Sequence, residues 1–155
     1  MAKRTVDGVD GLKQLVGEQV GPSEPIEVTQ ALIDAYADVC GDHQWIHCDP
    51  EKAASESPFG KTIAHGNLTL SLIEGFRLEM LDQRGFKMGI NYGFDKVRYP
   101  APVPVDSKVV ATIEVASVDE LEGGWYHVVS KFDIRVEGAE KPSVIAESVT
   151  RMLAE

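Results

Sequence analysis

A chain of 155 residues is about one domain long and can bury a full core without disulfides or a metal, so 1–155 is taken as one domain, with 1–25 as an N-terminal helix and linker. Lys and Arg total 15 against 25 Asp and Glu, a formal charge of −10 that speaks against nucleic acid, whose phosphates need a surface rich in cations. Cys40 and Cys48 form no C-x-x-C pair, residues 1–10 lack the apolar centre of a signal peptide, and no run approaches a membrane span. A soluble cytoplasmic protein with reduced thiols is expected.

Residues 6–17 read as a short helix with Leu12, Leu15 and Val16 on one side, and a brief strand over 26–28 follows the Pro22 and Pro25 turn signals. Thr29 is placed to cap a helix over 30–40, where Leu32, Ile33, Tyr36, Ala37 and Cys40 share one apolar face. Gly41 stands where a left-handed residue ends a helix, so 42–49 is expected as a loop. Asp49 followed by Pro50 starts a second short helix that fades by Ser57-Pro58. Residues 59–65 read as an irregular connection.

Residues 67–83 form the most hydrophobic segment. Leu68, Leu70, Leu72, Ile73, Phe76, Leu78, Met80 and Leu81 point in most directions around a helix, the pattern of a buried one. Strands follow. Residues 87–99 carry Gly89 and Gly93, which suggest bulges or close approach, and Pro100, Pro102 and Pro104 then break the chain into a loop. Val109, Ala111, Ile113 and Val115 alternate along a second strand. Gly123-Gly124 turns into a third, in which Tyr126, Val128, Ser130, Phe132, Ile134 and Val136 keep a strict period of two. A last strand covers 143–152. Helices first and antiparallel strands after indicate α+β, with the sheet curved around the buried helix.

The densest polar cluster is Gly41-Asp42-His43-Gln44-Trp45-Ile46-His47. A loop can turn Asp42 and His47 to one point, where a carboxylate and an imidazole hold and polarise a water; a helix would set them about 140° apart. The plainer account has Asp42 binding loop amides and His47 packed or on the surface, and this segment alone favours it. Asp42, His43, His47 and His65 also offer metal-ligand chemistry. Paired ligands four apart, however, belong on a helix, and no cysteine pair completes a set, so no metal is expected.

His65-Gly66 precedes the buried helix directly. Amides at that N-terminus lack intrahelical acceptors and favour negative charge such as a developing oxyanion, and Gly66 would permit close backbone approach. An ordinary glycine at a tight junction is the simpler alternative. No G-x-S-x-G, G-x-G-x-x-G or phosphate loop occurs. For a polyanionic ligand, Lys61, Arg84, Lys87, Lys96 and Arg98 are the candidate contacts, although any one of them is more simply a solvated surface charge.

Residues 41–47 with Asp49-Pro50, residues 59–66 and residues 97–105 together resemble the MaoC-like dehydratases, the (R)-specific enoyl-CoA hydratases, and among them the nodulation-protein-N-like branch. The likeness runs over about 28–152, and its first segment is the specific one. It implies a single hot-dog fold, a curved antiparallel sheet wrapped around a long central helix at 67–83. The implied reaction is the reversible syn hydration of a trans-2-enoyl-CoA to a (3R)-hydroxyacyl-CoA. Asp42 and His47 would be the catalytic pair, the Gly66 amide the oxyanion donor and Gln44 a supporting amide. Trp45, His65, Asn67 and Ser71 are the candidate lining of the substrate site, and Lys61, Lys96 and Arg98 are the candidates for its phosphates because a chain at −10 must concentrate positive charge where a polyanion docks. No cofactor is implied beyond the CoA or acyl carrier protein of the substrate, and a homodimer is. The family pattern G-D-x-N-P-x-H is altered here, with Gln44 and Trp45 in the N-P positions, so the acyl specificity is open. A hot-dog thioesterase using Glu74 and a non-catalytic acyl-thioester-binding subunit are the competing readings.

Overall fold

The computed structural model describes residues 3–155. Strand β1 (Arg4–Asp7), helix α1 (Gly8–Gln14) and strands β2 (Gln19–Val20) and β3 (Ile26–Val28) lead into α2 (Gln30–Cys40). Helices α3 (Trp45–Cys48), α4 (Pro50–Glu56), α5 (Gly66–Ser71) and α6 (Ile73–Met80) follow. Strands β4 (Leu81–Arg84), β5 (Phe86–Arg98), β6 (Ser107–Glu120), β7 (Trp125–Val136) and β8 (Val144–Ala154) complete the chain.

The main sheet has the order β2-β6-β7-β8-β5, all antiparallel, with β3 pairing the opening residues of β6. Its period-two strands turn Val109, Ala111 and Ile113, then Val128, Phe132 and Ile134, then Val144, Ala146 and Met152 into the core. Leu68, Ile73, Phe76 and Met80 of α5 and α6 meet them, with Leu12 and Ile33. Burying each large side chain contributes roughly 1.5–3 kcal/mol before chain entropy is counted.

Local signals set the ends of the early helices. Thr29 Oγ1 accepts the Leu32 amide at 3.1 Å, and Gly41 (φ 81°) donates its amide to the Ala37 carbonyl at 2.8 Å. Asp49 Oδ1 accepts the Lys52 amide at 3.0 Å, ahead of Pro50 in the first turn of α4.

The expected sheet wrapped around one long central helix is not what the chain forms. The fold is α+β and hot-dog-like, but 67–83 divides into α5 and α6 at Leu72, and its last residues enter β4. At the division, Ser71 Oγ donates to the Leu68 carbonyl at 2.6 Å and the Leu72 amide donates to Thr69 at 3.3 Å, a tightened turn that interrupts the regular ladder. At the far end, β4 pairs in parallel with β1, Arg4 opposite Leu81, so backbone pairing replaces another helical turn. The helices are not buried all round either: Leu78 is 64% exposed.

The expected helix over 6–17 is likewise shorter. Val6 belongs to β1, and Gly8 at φ 62° makes the corner into α1. In β5 the register against β8 shifts at three places, one of them between Asn91 and Gly93, while Gly89 pairs regularly with Met152. Both cysteines are free thiols, and among the described residues no helix is long and apolar enough to cross a membrane.

Candidate active site

Three segments converge at the start of α5. Residues 62–64 run beside 103–105: the Ala64 amide donates to Val103 at 2.8 Å and the Val105 amide to Thr62 at 2.9 Å. The three prolines therefore do more than break a strand, because the stretch they occupy pins the approach to His65 and Gly66. The Ile63 amide in turn donates to the Ile46 carbonyl at 3.0 Å, tying this approach to α3.

His47 lies on α3, a single helical turn within the stretch expected as loop, and is 7% exposed. Its Nδ1 is 2.6 Å from the Ile63 carbonyl oxygen. A carbonyl can only accept, so Nδ1 carries the proton and Nε2 keeps its lone pair. Burial pushes the His47 pKa below its ordinary 6.5, and the neighbouring His65 adds to that, against the Ile63 carbonyl and Asp42, which raise it. The imidazole is thus held neutral, as a base must be.

Asp42 is exposed, and its Oδ1 accepts the Gln44 amide at 3.2 Å, which folds the loop back on itself. Its carbonyl accepts from His65 Nε2 at 2.9 Å. His65 is 5% exposed and stacks on His47, with ring centroids 3.8 Å apart and planes 24° apart. Its Nδ1 is buried without a hydrogen-bond partner among the described residues. One donor atom each from Asp42, His47 and His65 falls within 4.8 Å of the others. Imidazole binds a metal in its own plane, and two stacked rings so nearly parallel do not both aim at one ion about 2 Å away.

These residues line a cavity of about 320 Å³ together with Tyr36, Cys40, Gly66, Asn67 and Tyr99. Gly66 needs its missing side chain here: a Cβ would lie 2.8 Å from Tyr99 Cδ2. Tyr99 Oη donates to Asn67 Oδ1 at 2.5 Å, and burial pushes its phenol pKa up, so it remains a donor.

The other expected site residues are distributed differently. Gln44 is exposed and immediately precedes α3, contributing its backbone amide to Asp42. Trp45 sits under the Lys52 ammonium, 4.9 Å from ring centroid to nitrogen, and Ser71 spends its hydroxyl on Leu68; neither lines the cavity. Lys61, Lys96 and Arg98 are exposed. Lys61 Nζ reaches the Val105 carbonyl and Arg98 its neighbour Val97, and none of the three has a carboxylate partner among the described residues. Arg84 is paired with Asp82 at 2.6 Å. His43 is paired with Asp38 at 2.8 Å, outside the cavity. Glu74 lies 3.6 Å from Arg77 and lines a different cavity.

Gln30 belongs to the site without any motif to mark it in the sequence. Its Nε2 donates to the His47 carbonyl at 2.7 Å and to Asp34 Oδ1 at 2.9 Å, while its Oε1 accepts from Thr62 Oγ1 at 2.6 Å. One amide thereby locks α2, α3 and the 62–64 segment together. A polar residue in the first turn of a helix is the sole signal it leaves in sequence. Tyr36 and Tyr99 were read as a helix-face residue and a strand end.

The family described as MaoC like domain matches residues 12–131. The 3-hydroxyacyl-thioester dehydratase Z of Mycobacterium tuberculosis strain H37Rv is 46% identical over 151 residues, 97% of this chain and 99% of that protein. Nodulation protein N of Rhizobium leguminosarum bv. viciae is 38% identical over 136 residues, covering 87% and 84%. Among solved structures, the unliganded R-hydratase PhaJ1 of Pseudomonas aeruginosa superposes with a TM-score of 0.69 at 24% identity over 90% of this chain and 83% of that one, a likeness of fold. On the family match and the near-full-length relatives, the chain belongs to the MaoC-like dehydratase family.

Proposed function

We propose that this protein is an (R)-specific enoyl-thioester hydratase, a hydro-lyase that adds water reversibly and syn across a trans-2-enoyl-CoA to give the (3R)-hydroxyacyl-CoA. The observation that carries the proposal is the neutral His47, whose Nδ1 is committed to Ile63 so that Nε2 keeps its lone pair, grouped with Asp42 and His65 so that one ligand atom of each lies within 4.8 Å of the others. The dehydratase name of the relative at 46% identity supports the same reaction class.

The thioester makes C2 acidic and C3 electrophilic, so the chain's own groups need only handle one water and one proton. A water held between Asp42 and His47 attacks C3 while one of the pair takes its proton, and that proton is delivered to C2 on the same face. The Gly66 amide, in the first turn of α5, donates to the thioester oxygen as enolate charge develops. No metal or organic cofactor enters. Lys61, Lys96 and Arg98, free of carboxylate partners among the described residues, are the groups offered to the CoA phosphates or an acyl carrier protein's phosphopantetheine.

The working unit is a homodimer paired through β5. This strand lies at the edge of the sheet, and Met88, Ile90, Tyr92 and Phe94 are 50%, 48%, 65% and 48% exposed on it, a row that an isolated chain would leave in water.

The test is crotonyl-CoA, followed at once for loss of the conjugated double bond and for free thiol, with product configuration determined. Loss of conjugation giving the 3R product is expected. Thiol release without hydration would establish the thioesterase reading instead, and ligand binding without turnover at any chain length would establish a non-catalytic subunit.

A further inference from the structure

Helix α6 carries one residue that its apolar stretch does not call for. Arg77 stands between Phe76 and Leu78 and is 5% exposed. Its Nη1 donates to Thr150 Oγ1 at 2.7 Å and its Nη2 to Ser148 Oγ at 3.1 Å, alternate residues of β8 that are themselves buried. Its Cζ lies 5.3 Å from the centre of the Phe132 ring. Two hydroxyls and a ring orient the guanidinium, but they are neutral and leave its charge in place. The Nε is buried with no acceptor among the described residues.

A guanidinium keeps its proton in a protein, so only an anion can offset this charge. Taking an ion out of water is costly, and a single partner that stays wet compensates for it in part. That partner is Glu74, 3.6 Å away and 42% exposed. Burial pulls the Arg77 pKa below its ordinary value, and Glu74 recovers only some of it.

Arg77 and Glu74 line a cavity of about 590 Å³ that has no residue in common with the one around His47. Its charges do not cancel. Lys3 and Arg77 are its cations; of its two carboxylates, Asp82 is already held by Arg84 at 2.6 Å, which leaves Glu74 alone. The rest of the lining mixes Leu81, Phe86 and Met152 with the amides of Gln83 and Asn91. A volume of this size suits a small organic molecule. A surplus positive charge beside an apolar wall selects one negative charge on an alkyl body.

We infer that this cavity is a binding site for an alkyl monocarboxylate, the chemistry of a free fatty acid, with Arg77 holding the carboxylate and Leu81, Phe86 and Met152 the chain. The binding does not rest on the hydratase reading. Ser148 and Thr150 are positioning residues that fix the plane of the guanidinium from the sheet side. Neutral hydroxyls suit that task, since a carboxylate in their place would cancel the charge the ligand requires.

Calorimetric titration of the full chain with octanoate, octanol and acetate tests the site. Octanoate should bind about tenfold or more tightly than octanol, which lacks the charge, and than acetate, which lacks the chain. Arg77→Met keeps the length of the side chain and removes its charge; it should weaken octanoate about tenfold or more and leave octanol unchanged. Gly89→Phe fills the cavity without touching Arg77, because Gly89 lines it and a Cβ there would meet Thr150 Cγ2 at an ordinary 3.7 Å. This variant should weaken octanoate and octanol alike. If Arg77→Met does not fold, Gly89→Phe and the wild-type preference for octanoate over octanol carry the decision. Octanol binding as tightly as octanoate would overturn the inference. So would wild-type affinity for octanoate in either variant that folds, or no octanoate binding at millimolar concentration.

Discussion

His47 Nδ1 lies 2.6 Å from the carbonyl oxygen of Ile63, and this one contact decides which ring nitrogen is available for chemistry. It also couples this imidazole to the backbone of the segment that delivers Gly66, because the Ile63 amide is held by Ile46 one residue before His47. The His47 imidazole and the proposed oxyanion donor are therefore positioned by the same short stretch of chain.

Asp42→Asn and His47→Gln each keep volume and hydrogen bonding while removing proton transfer. Each should lower kcat for crotonyl-CoA by about 10²–10⁴ with the fold retained by circular dichroism. Both act on one water, so the double variant should lose little beyond the worse single one. Near-wild-type turnover by a folded Asp42→Asn would remove Asp42 from the mechanism.

Gln30→Ala should destabilise the protein by about 1–3 kcal/mol, since it strands the His47 carbonyl and the Thr62 hydroxyl. It should also lower kcat, because the backbone under His47 loses its tie to α2. Urea unfolding together with steady-state kinetics measures both, and an activity loss without a shift in the midpoint would contradict the bracing role.

Gly66→Ala forces a methyl against the Tyr99 ring and should cost about 1–3 kcal/mol by overpacking. The backbone there is ordinary helix, so the strain comes from Tyr99 alone. Combining Gly66→Ala with Tyr99→Ala should therefore recover most of the loss, and a thermodynamic cycle reads that coupling directly. Additive effects would mean the strain lies elsewhere.

The pH dependence follows from His47, whose folded pKa lies below the ordinary 6.5. Between those two values the unfolded chain binds the proton and the folded one does not, so stability from this group is complete above about 6.5 and falls as pH drops through the folded value. Wild type and His47→Gln should accordingly converge in relative stability as pH is lowered. The acid limb of kcat/KM should fall in the same window, and an NMR titration of the His47 ring supplies the folded value. A His47 that titrates above 6.5 would refute the assignment.

A dimer through β5 should be lost when Ile90 and Tyr92 are both replaced by Lys, which puts like charges on a self-facing edge. Light scattering at micromolar concentration should show a dimer for the wild type and a monomer for the variant. A monomeric wild type would dispose of the proposed assembly.

The parts of this protein legible in its sequence are those that neighbouring residues decide. Thr29 and Gly41 bound α2, Asp49-Pro50 opens α4, and strict alternation marks β6 and β7, since caps and period-two burial act within a few residues. The Asp42–His47 segment was visible for the same reason, as polar groups crowded beside a helix end. Tertiary structure alone decided the rest. The apolar stretch 67–83 reads as one helix until β1, more than seventy residues upstream, pairs with Leu81–Arg84 and ends it. Gln30 meets His47 and Thr62 across 17 and 32 residues, and Tyr99 meets Asn67 across 32. Such contacts have no local periodicity to betray them, because they exist only after the sheet and helices have packed and brought distant polar groups within the reach of a hydrogen bond.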